Sequence, residues 1–507
     1  MARKKIPRGA ATFVGVQFAQ LSADDARVRL EAALDAVTRV DPEYGAAPLL
    51  GGVQRRLLLG VAVALVAGLA LSAVDTIIAV LSLITACYVA VTVNRAVLFV
   101  RSRRASNTIQ VSDAEARAVP DVDLPVYTVL VPAYREPEVI GRLVTNLARL
   151  EYPPPKLDIK FLLESDDEET IAALRHQVAG PHMEVVLVPP GGPRTKPKAL
   201  DFGLTMARGD VVTIFDAEDQ PESLQLRRAA IALARGGPQV ACVQAKLSFG
   251  NDRQNLITKW FTIEYAMWFS LFLPGLVDIG APLPLGGTSN HFRRDVLEEI
   301  GAWDPYNVTE DADLGVRLAR HGYRCQVLES VTLEEANSDF VNWVKQRSRW
   351  YKGYLQTLLI HMRHPARLYR QLGSRGFWGF LLFVGGTPVL AFLNPLFWLT
   401  TGIWFAGGHV HIVQRLFPAP LYYVATVCWV FGNFLAAYLT VLACRLLDRT
   451  ELLPAALLVP VYWVMMAIAA AKAMWQLVFE PTHWEKTTHG LDLPPTAPET
   501  VLTPTPA

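Results

Sequence analysis

The chain has 507 residues, 51% hydrophobic and 19% charged, with a positive mean hydropathy. That is too apolar for an ordinary soluble enzyme and too polar for spans alone, so a polar domain interrupting a membrane domain is expected. A net charge of +1 gives no basis for nucleic acid or an acidic partner, and five cysteines without C-x-x-C spacing argue against structural zinc and a disulfide framework.

Residues 1–54 read as an N-terminal cytosolic segment. Arg3, Lys4, Lys5 and Arg8 are not followed by an apolar run, so they do not open a signal peptide. Ser22 and Asp25 suit the start of an amphipathic helix reaching about Val40. Residues 55–104 read as a transmembrane hairpin, Leu57 to Val74 and Ile77 to Val100, turning at Asp75 and Thr76. Arg55 and Arg56 precede it and Arg101, Arg103 and Arg104 follow it, which puts both basic ends on the cytoplasmic side of a plasma (bacterial inner) membrane.

Residues 105–355 then fall in the cytosol. Short apolar runs at Val126–Val131, Ile159–Leu163, Val185–Val188, Val211–Phe215 and Val240–Val243 alternate with helix-length stretches such as Val139–Leu150 and Thr170–Val178. This is the pattern of an α/β domain with a parallel or mixed sheet, whose ligands sit at the carboxyl ends of the strands. Residues 356–480 return to membrane-like sequence. An amphipathic stretch to about Gly373 precedes Phe377–Ala406, interrupted by glycine and proline, and the clean span Leu421–Cys444. Pro454, Pro460 and Lys472 make Leu452–Phe479 read as re-entrant or interfacial, which keeps Pro481–Gly490 in the cytosol. Residues 481–507 end in a Pro/Thr-rich tail expected to be disordered.

Polar clusters interrupt this pattern. Asp166 and Asp167 follow the second apolar run, where carboxylates either accept hydrogen bonds from a base or ribose or cap the next helix. Asp216-Ala217-Glu218-Asp219 ends the fourth run, and alternate carboxylates there can hold a divalent metal against two phosphates; an acidic turn is the plain alternative. Lys196 and Lys198 sit in a Gly/Pro-rich loop that either meets a diphosphate or is simply solvated. Thr309-Glu310-Asp311 opens a helix, offering a carboxylate to take a hydroxyl proton or an acidic first turn favoured by the helix dipole. Gln346-Arg347-Ser348-Arg349-Trp350 puts amide, cation and indole together, a set suited to a diphosphate and a sugar ring.

In order and flanks these motifs resemble the membrane-integrated family 2 glycosyltransferases of the cellulose synthase group, from about Leu57 to Gly490. Thr-Glu-Asp and Q-x-x-R-W are the most specific pieces; Val131 to Glu136 resembles the opening nucleotide-binding strand and loop, and Leu285 to Asn290 the acceptor-side loop. The resemblance implies a GT-A-like domain and inverting, processive β-glycan synthesis from a nucleotide sugar, best guessed as uridine diphosphate glucose, with translocation of the growing polysaccharide across the bilayer. It implies Asp311 as base, Tyr134, Glu136, Asp166, Asp167, Lys196 and Asp216 at the donor, and Asp216 and Glu218 on Mg²⁺ or Mn²⁺. Glu310, Gln346, Arg349 and Trp350 would meet acceptor and diphosphate, and Trp484, Lys486 and Thr487 would belong to a gating loop. Two departures stand out: Glu218 replaces the second Asp of D-x-D, with Asp219 beside it, and Asp201 replaces the customary amide after Lys196. Trp398, Trp404, Trp429 and Trp463 are candidates to line an exit path, Trp429 above the others. The alternatives are single transfer to a lipid-linked acceptor and a transporter or scaffold with an inactive transferase domain.

Overall fold

The computed structural model describes residues 17–104, 108–175, 177, 180–406, 414–481 and 485. The tail after Gly490 and the gating-loop residues Trp484, Lys486 and Thr487 lie outside them.

Valine- and leucine-rich runs build the centre of the sheet, where β3 (Tyr127–Ala133), β4 (Leu157–Glu164), β5 (Met183–Val188) and β6 (Val211–Ile214) pair in parallel. All eight residues of β4 are buried, as expected of a strand covered on both faces. Beyond β6 the sheet is mixed. β9 (Asn290–Arg293) lies antiparallel between β6 and β8 (Val240–Phe249), and β10 (Arg324–Glu334) runs parallel to β8. The two-residue strands β1 (Gln17–Phe18) and β2 (Thr108–Ile109) close the edges, and β7 (Gln220–Pro221) pairs with β10. The α/β domain with a mixed sheet set among long apolar helices is therefore present, although β9 and β10 were not foreseen.

Ser22 caps the helix Ala23–Leu34 by accepting from the Asp25 N–H at 3.1 Å, as expected. The segment is built onto the domain: β1 extends the sheet beside β5, and the Asp304 carboxylate accepts from the Ala46 N–H at 2.6 Å.

Among the described residues six helices are long and apolar enough to cross a membrane: Gly52–Leu71, Ala73–Ser102, Leu256–Ile279, Pro365–Leu399, Ala419–Leu446 and Val459–Phe479. The hairpin breaks at Ser72 rather than at Asp75 and Thr76. Ser72 caps the second helix by accepting from the Asp75 N–H at 3.4 Å, so Asp75 and Thr76 belong to its first turn. Leu256–Ile279, not anticipated as apolar helix, is two-thirds buried between the sheet domain and the other helices (67% of its apolar window). Leu452–Phe479 is less broken than its prolines suggest. Pro454 and Pro460 stand in the first turns of Leu453–Leu457 and Val459–Phe479, where a missing N–H costs nothing, and the second helix runs unbroken for 21 residues. Lys472 within it pairs with Glu485 at 2.7 Å.

Candidate active site

The carboxyl ends of β3, β4 and β6, the starts of two helices and the middle of a third converge on one cavity of about 290 Å³. Tyr134 and Glu136, directly after β3, line it. Asp166 and Asp167 do not. The Asp167 carboxylate accepts from the Arg135 N–H at 2.5 Å and the Thr170 N–H at 3.3 Å, clipping the Tyr134–Glu136 loop to the next helix. Helix capping is thus realised for Asp167. Asp166 pairs with Arg194 at 2.8 Å, and Arg194 lines the cavity.

After β6, Asp216 and Glu218 line the cavity, whereas Asp219 is fully buried. Asp219 accepts from the Asp216 N–H at 2.7 Å and from the Thr288 hydroxyl, which holds the acidic turn shut. Burial, then the charges of Asp216 and Glu218, push its pKa well above the usual carboxylate range. Of the two neighbours only Glu218 faces the space where a metal would sit. Among the described residues no group of three His, Cys, Asp or Glu is placed to hold one.

Lys196 opens the helix Lys196–Leu204 and donates to the Asp216 carboxylate and to the Gly287 carbonyl at 2.8 Å. Burial alone would lower its pKa, but Asp216 and Glu310 outweigh it and hold the ammonium charged. Lys198 stands about 200° further round the helix. It is fully buried against Glu164 at 2.7 Å and does not reach the cavity. Asp201 points inward too, accepting from the Trp303 N–H at 3.0 Å.

Thr309 precedes the helix Glu310–Arg320, whose first two residues face the cavity. Burial, opposed by the Ala312 N–H, Lys196 and Arg349, raises the Asp311 carboxyl to about 6. Burial and the adjacent Asp311 raise Glu310 to about 7. A β-carbon at Gly287 would lie 3.6 Å from both the Asp311 carboxylate and Lys196 Nζ, so the missing side chain keeps this corner open.

The helix Phe340–His361 supplies the far wall. Gln346 accepts from Asn337 at 2.8 Å, which fixes its amide beside the cavity. Arg349 feels the charges of Glu310, Asp311 and Asp216, although burial dominates and lowers its pKa. The Trp350 ring lies 6.3 Å from Tyr265, and both line the cavity. Several contributors were missed. Arg347 makes a fork to Glu264 (2.9 and 2.5 Å) and lies 4.6 Å from the Trp350 ring, anchoring the helix to Leu256–Ile279. Glu334 ends β10 at the cavity, its pKa pushed well up by burial and then by Asp219, Asp216 and Glu218. Its place at a strand's end was the available signal, but β10 had not been read as a strand.

Glu264, Trp268, Tyr351 and Thr387 also line a second cavity of about 140 Å³ among the apolar helices, together with Arg95 and Trp463. Trp398 faces Trp463 at 6.2 Å, while Trp429 packs with the cluster around Tyr88 and Phe417 instead of lining this space. The Trp404 side chain lies outside the described residues.

Residues 125–353 match the family described as glycosyltransferase like family 2. Over those residues the chain is similar to family 2 glycosyltransferases. The matched residues hold most of the mixed sheet described above. The chain is similar to "Probable glycosyltransferase YdaM" of Bacillus subtilis, 25% identical over 49% of this chain and 60% of that one. It is also similar to a β-monoglucosyldiacylglycerol synthase of Nostoc, 28% identical over 57% and 58%. The chain thus spans under two thirds of the length of these curated relatives. Among solved structures, a mannosyltransferase from Pyrobaculum calidifontis in complex with GDP-mannose and Mn²⁺ aligns at a TM-score of 0.43 and 20% identity, covering 68% of this chain and 99% of that one.

Proposed function

We propose that the protein transfers a hexosyl group, with inversion, from a nucleoside diphosphate sugar to a hydroxyl acceptor presented from the membrane helices. The observation that carries this is the single cavity shared by a carboxylate of raised pKa, Asp311, and two cations, Lys196 and Arg349. Asp311 takes the acceptor hydroxyl proton. The freed oxygen pair bonds to the anomeric carbon from the face opposite the diphosphate, and the bond to the diphosphate breaks with its electrons. At a pKa of about 6 Asp311 is ionised at neutral pH yet basic enough to hold that proton. Lys196 and Arg349 take up charge on the departing diphosphate. Asp216 and Glu218 would hold Mg²⁺ or Mn²⁺, since two carboxylates plus substrate phosphates suit Mg²⁺ without a protein cage; the metal would supply further charge neutralisation there.

Tyr134 and Glu136 would contact the nucleotide, with Asp167 positioning their loop. Trp484, Lys486 and Thr487 would cover it, a placement supported by the Pro481 carbonyl, which accepts from Gln356 of the helix Phe340–His361 at 2.7 Å. The paired basic ends of the hairpin support a plasma-membrane protein with its domain in the cytosol.

For the acceptor we favour a membrane lipid. An apolar groove between the helices Ala73–Ser102 and Ala419–Leu446 shares Thr92 with the inner cavity, giving a sideways approach from the bilayer. Processive β-glycan synthesis from uridine diphosphate glucose is the second reading, supported by Q-x-x-R-W and by the aromatic Trp260 and Trp463 lining the inner cavity. Membranes given labelled nucleotide sugars decide: label in glycolipid supports the first reading and label in polymer the second. Label in neither, with no nucleotide released, rejects transferase activity.

A further inference from the structure

Among the described residues Arg95, a cation within the apolar helices, forms no ion pair of its own. Arg95 lies in the second hairpin helix, six residues or about 9 Å before Arg101, and lines the inner cavity. Arg101 and Arg104 share Asp278 at 3.4 and 3.0 Å. Arg95 makes no such pair and no side-chain hydrogen bond among the described residues; its ionisable neighbours are Tyr351, Tyr88 and Glu264. Glu264 is already committed, to the Arg347 fork and to the Tyr462 hydroxyl at 2.6 Å. A guanidinium at membrane depth is costly unless it faces a polar cavity or an anion, and is a functional site by default.

The space around Arg95 has two unlike ends. Toward the catalytic cavity the shared residues are Tyr351, Trp268, Thr387 and the neutralised Glu264. Toward the bilayer, past Thr92, the groove is walled by Val93, Val97 and Val100 on one helix and Val424, Val427 and Phe431 on the other. Apolar groove, isolated cation and catalytic cavity are therefore consecutive, the order of tail, phosphate and headgroup in a phospholipid.

We infer that the acceptor is an anionic phospholipid carrying a free headgroup hydroxyl, its phosphate on Arg95, its acyl chain in the groove beside Thr92 and its hydroxyl at Asp311. This rests on the transferase reading above. The headgroup oxygen forms the new bond to the anomeric carbon, its proton goes to Asp311, and the nucleoside diphosphate leaves with the electron pair of the broken bond. Arg95 is selective because its attraction for a phosphate is lost on a neutral diacylglycerol.

The test uses the purified full chain in neutral detergent, with phosphatidylglycerol, phosphatidylcholine and diacylglycerol as probes. Lipid retention is read by native mass spectrometry and transfer by labelled lipid. Arg95→Gln is expected to weaken phosphatidylglycerol retention on the order of tenfold to a hundredfold, while Arg95→Lys stays near wild type and Val427→Trp weakens it by filling the groove. Wild type is expected to glycosylate phosphatidylglycerol in preference to diacylglycerol. Equal retention by wild type and Arg95→Gln overturns the proposal, as does label confined to diacylglycerol or to polymer. Should Arg95→Gln fail to fold, Val427→Trp decides, and wild-type retention by that variant is equally fatal. Nucleotide release from any nucleoside diphosphate sugar tests the transferase reading by itself. Release without glycosylated phosphatidylglycerol overturns only the acceptor assignment, and no release overturns both.

Discussion

The Asp313 carboxylate accepts from His361 Nε2 at 2.9 Å, both side chains fully buried, and this contact joins the helix that begins with Glu310 and Asp311 to the helix that carries Gln346, Arg349 and Trp350. Burial lowers the His361 pKa, and Asp313, despite its burial, is held below its usual range by Arg317 and His361. The neutral imidazole therefore donates from Nε2 to an ionised Asp313, and its Nδ1 accepts from Arg320 at 2.9 Å. His361→Ala is expected to cost about 1–3 kcal/mol, because Asp313 keeps Arg317 but loses one buried donor. It should also slow turnover more than it weakens donor binding, since base and cations then shift relative to each other. Thermal unfolding in detergent and separate kcat and KM values check this; unchanged kcat in a destabilised protein would leave His361 purely structural.

Asp311 makes a pH prediction with a definite sign. The base works only when ionised, so kcat/KM is expected to rise with pH through a limb near 6, well above the usual range of an aspartate. Arg349 is one of the charges holding that pKa down, so Arg349→Gln is expected to move the limb to higher pH as well as to lower the rate. Asp311→Asn should lose about 10²–10⁴-fold in rate with nucleotide binding retained. A limb near pH 4 in wild type would remove Asp311 from the role.

Glu218 and Asp219 are expected to separate cleanly. Glu218→Gln should raise the Mg²⁺ or Mn²⁺ concentration needed for half-maximal activity, because its carboxylate faces the cavity. Asp219→Asn should leave that concentration near wild type and instead lower thermal stability, since Asp219 closes the turn through Asp216 and Thr288. A metal titration of each variant alongside an unfolding curve distinguishes them, and the reverse assignment would show Asp219 reaching the metal.

What was legible follows from periodicity. The strands β3, β4 and β6 were visible because they are buried on both faces and contain continuous apolar runs, and β5 showed through its run Val185–Val188 although Leu187 is exposed. β10 mixes charge into its length, as in Glu329 and Glu334, and β9 has only four residues with a buried His291 at its centre, so neither offered such a run. Lys196 and Lys198 looked equivalent as loop residues. Once Lys196 starts a helix, their spacing of two sends them to opposite sides, one to the cavity and one to Glu164. Arg347 and Arg349 both line the cavity, and Arg347 is in addition anchored on Glu264. Pairings such as Asp313 with His361 join residues far apart in sequence and left no local trace.

Gly353, on the helix Phe340–His361, packs tightly against Thr309, the residue before the helix Glu310–Arg320. A β-carbon there would fall 2.3 Å from the Thr309 hydroxyl oxygen and 2.4 Å from its methyl group. Thr309 is buried and β-branched, so it has little room to turn aside. In an open helix position Gly→Ala stabilises by about 1 kcal/mol through helix propensity. Here the contact is expected to win, and Gly353→Ala should destabilise by about 1–3 kcal/mol, as overpacking does. Because Thr309 directly precedes Glu310 and Asp311, the displacement is carried to the base, and a shift of about 1 Å there can cost about 10²-fold in turnover. Thr309→Gly removes the clashing atoms, so the double variant should be more active and more stable than the sum of the two single changes allows. Unfolding temperature and kcat for the four proteins complete the cycle. Strict additivity would mean that the close pass at Gly353 does not position Asp311.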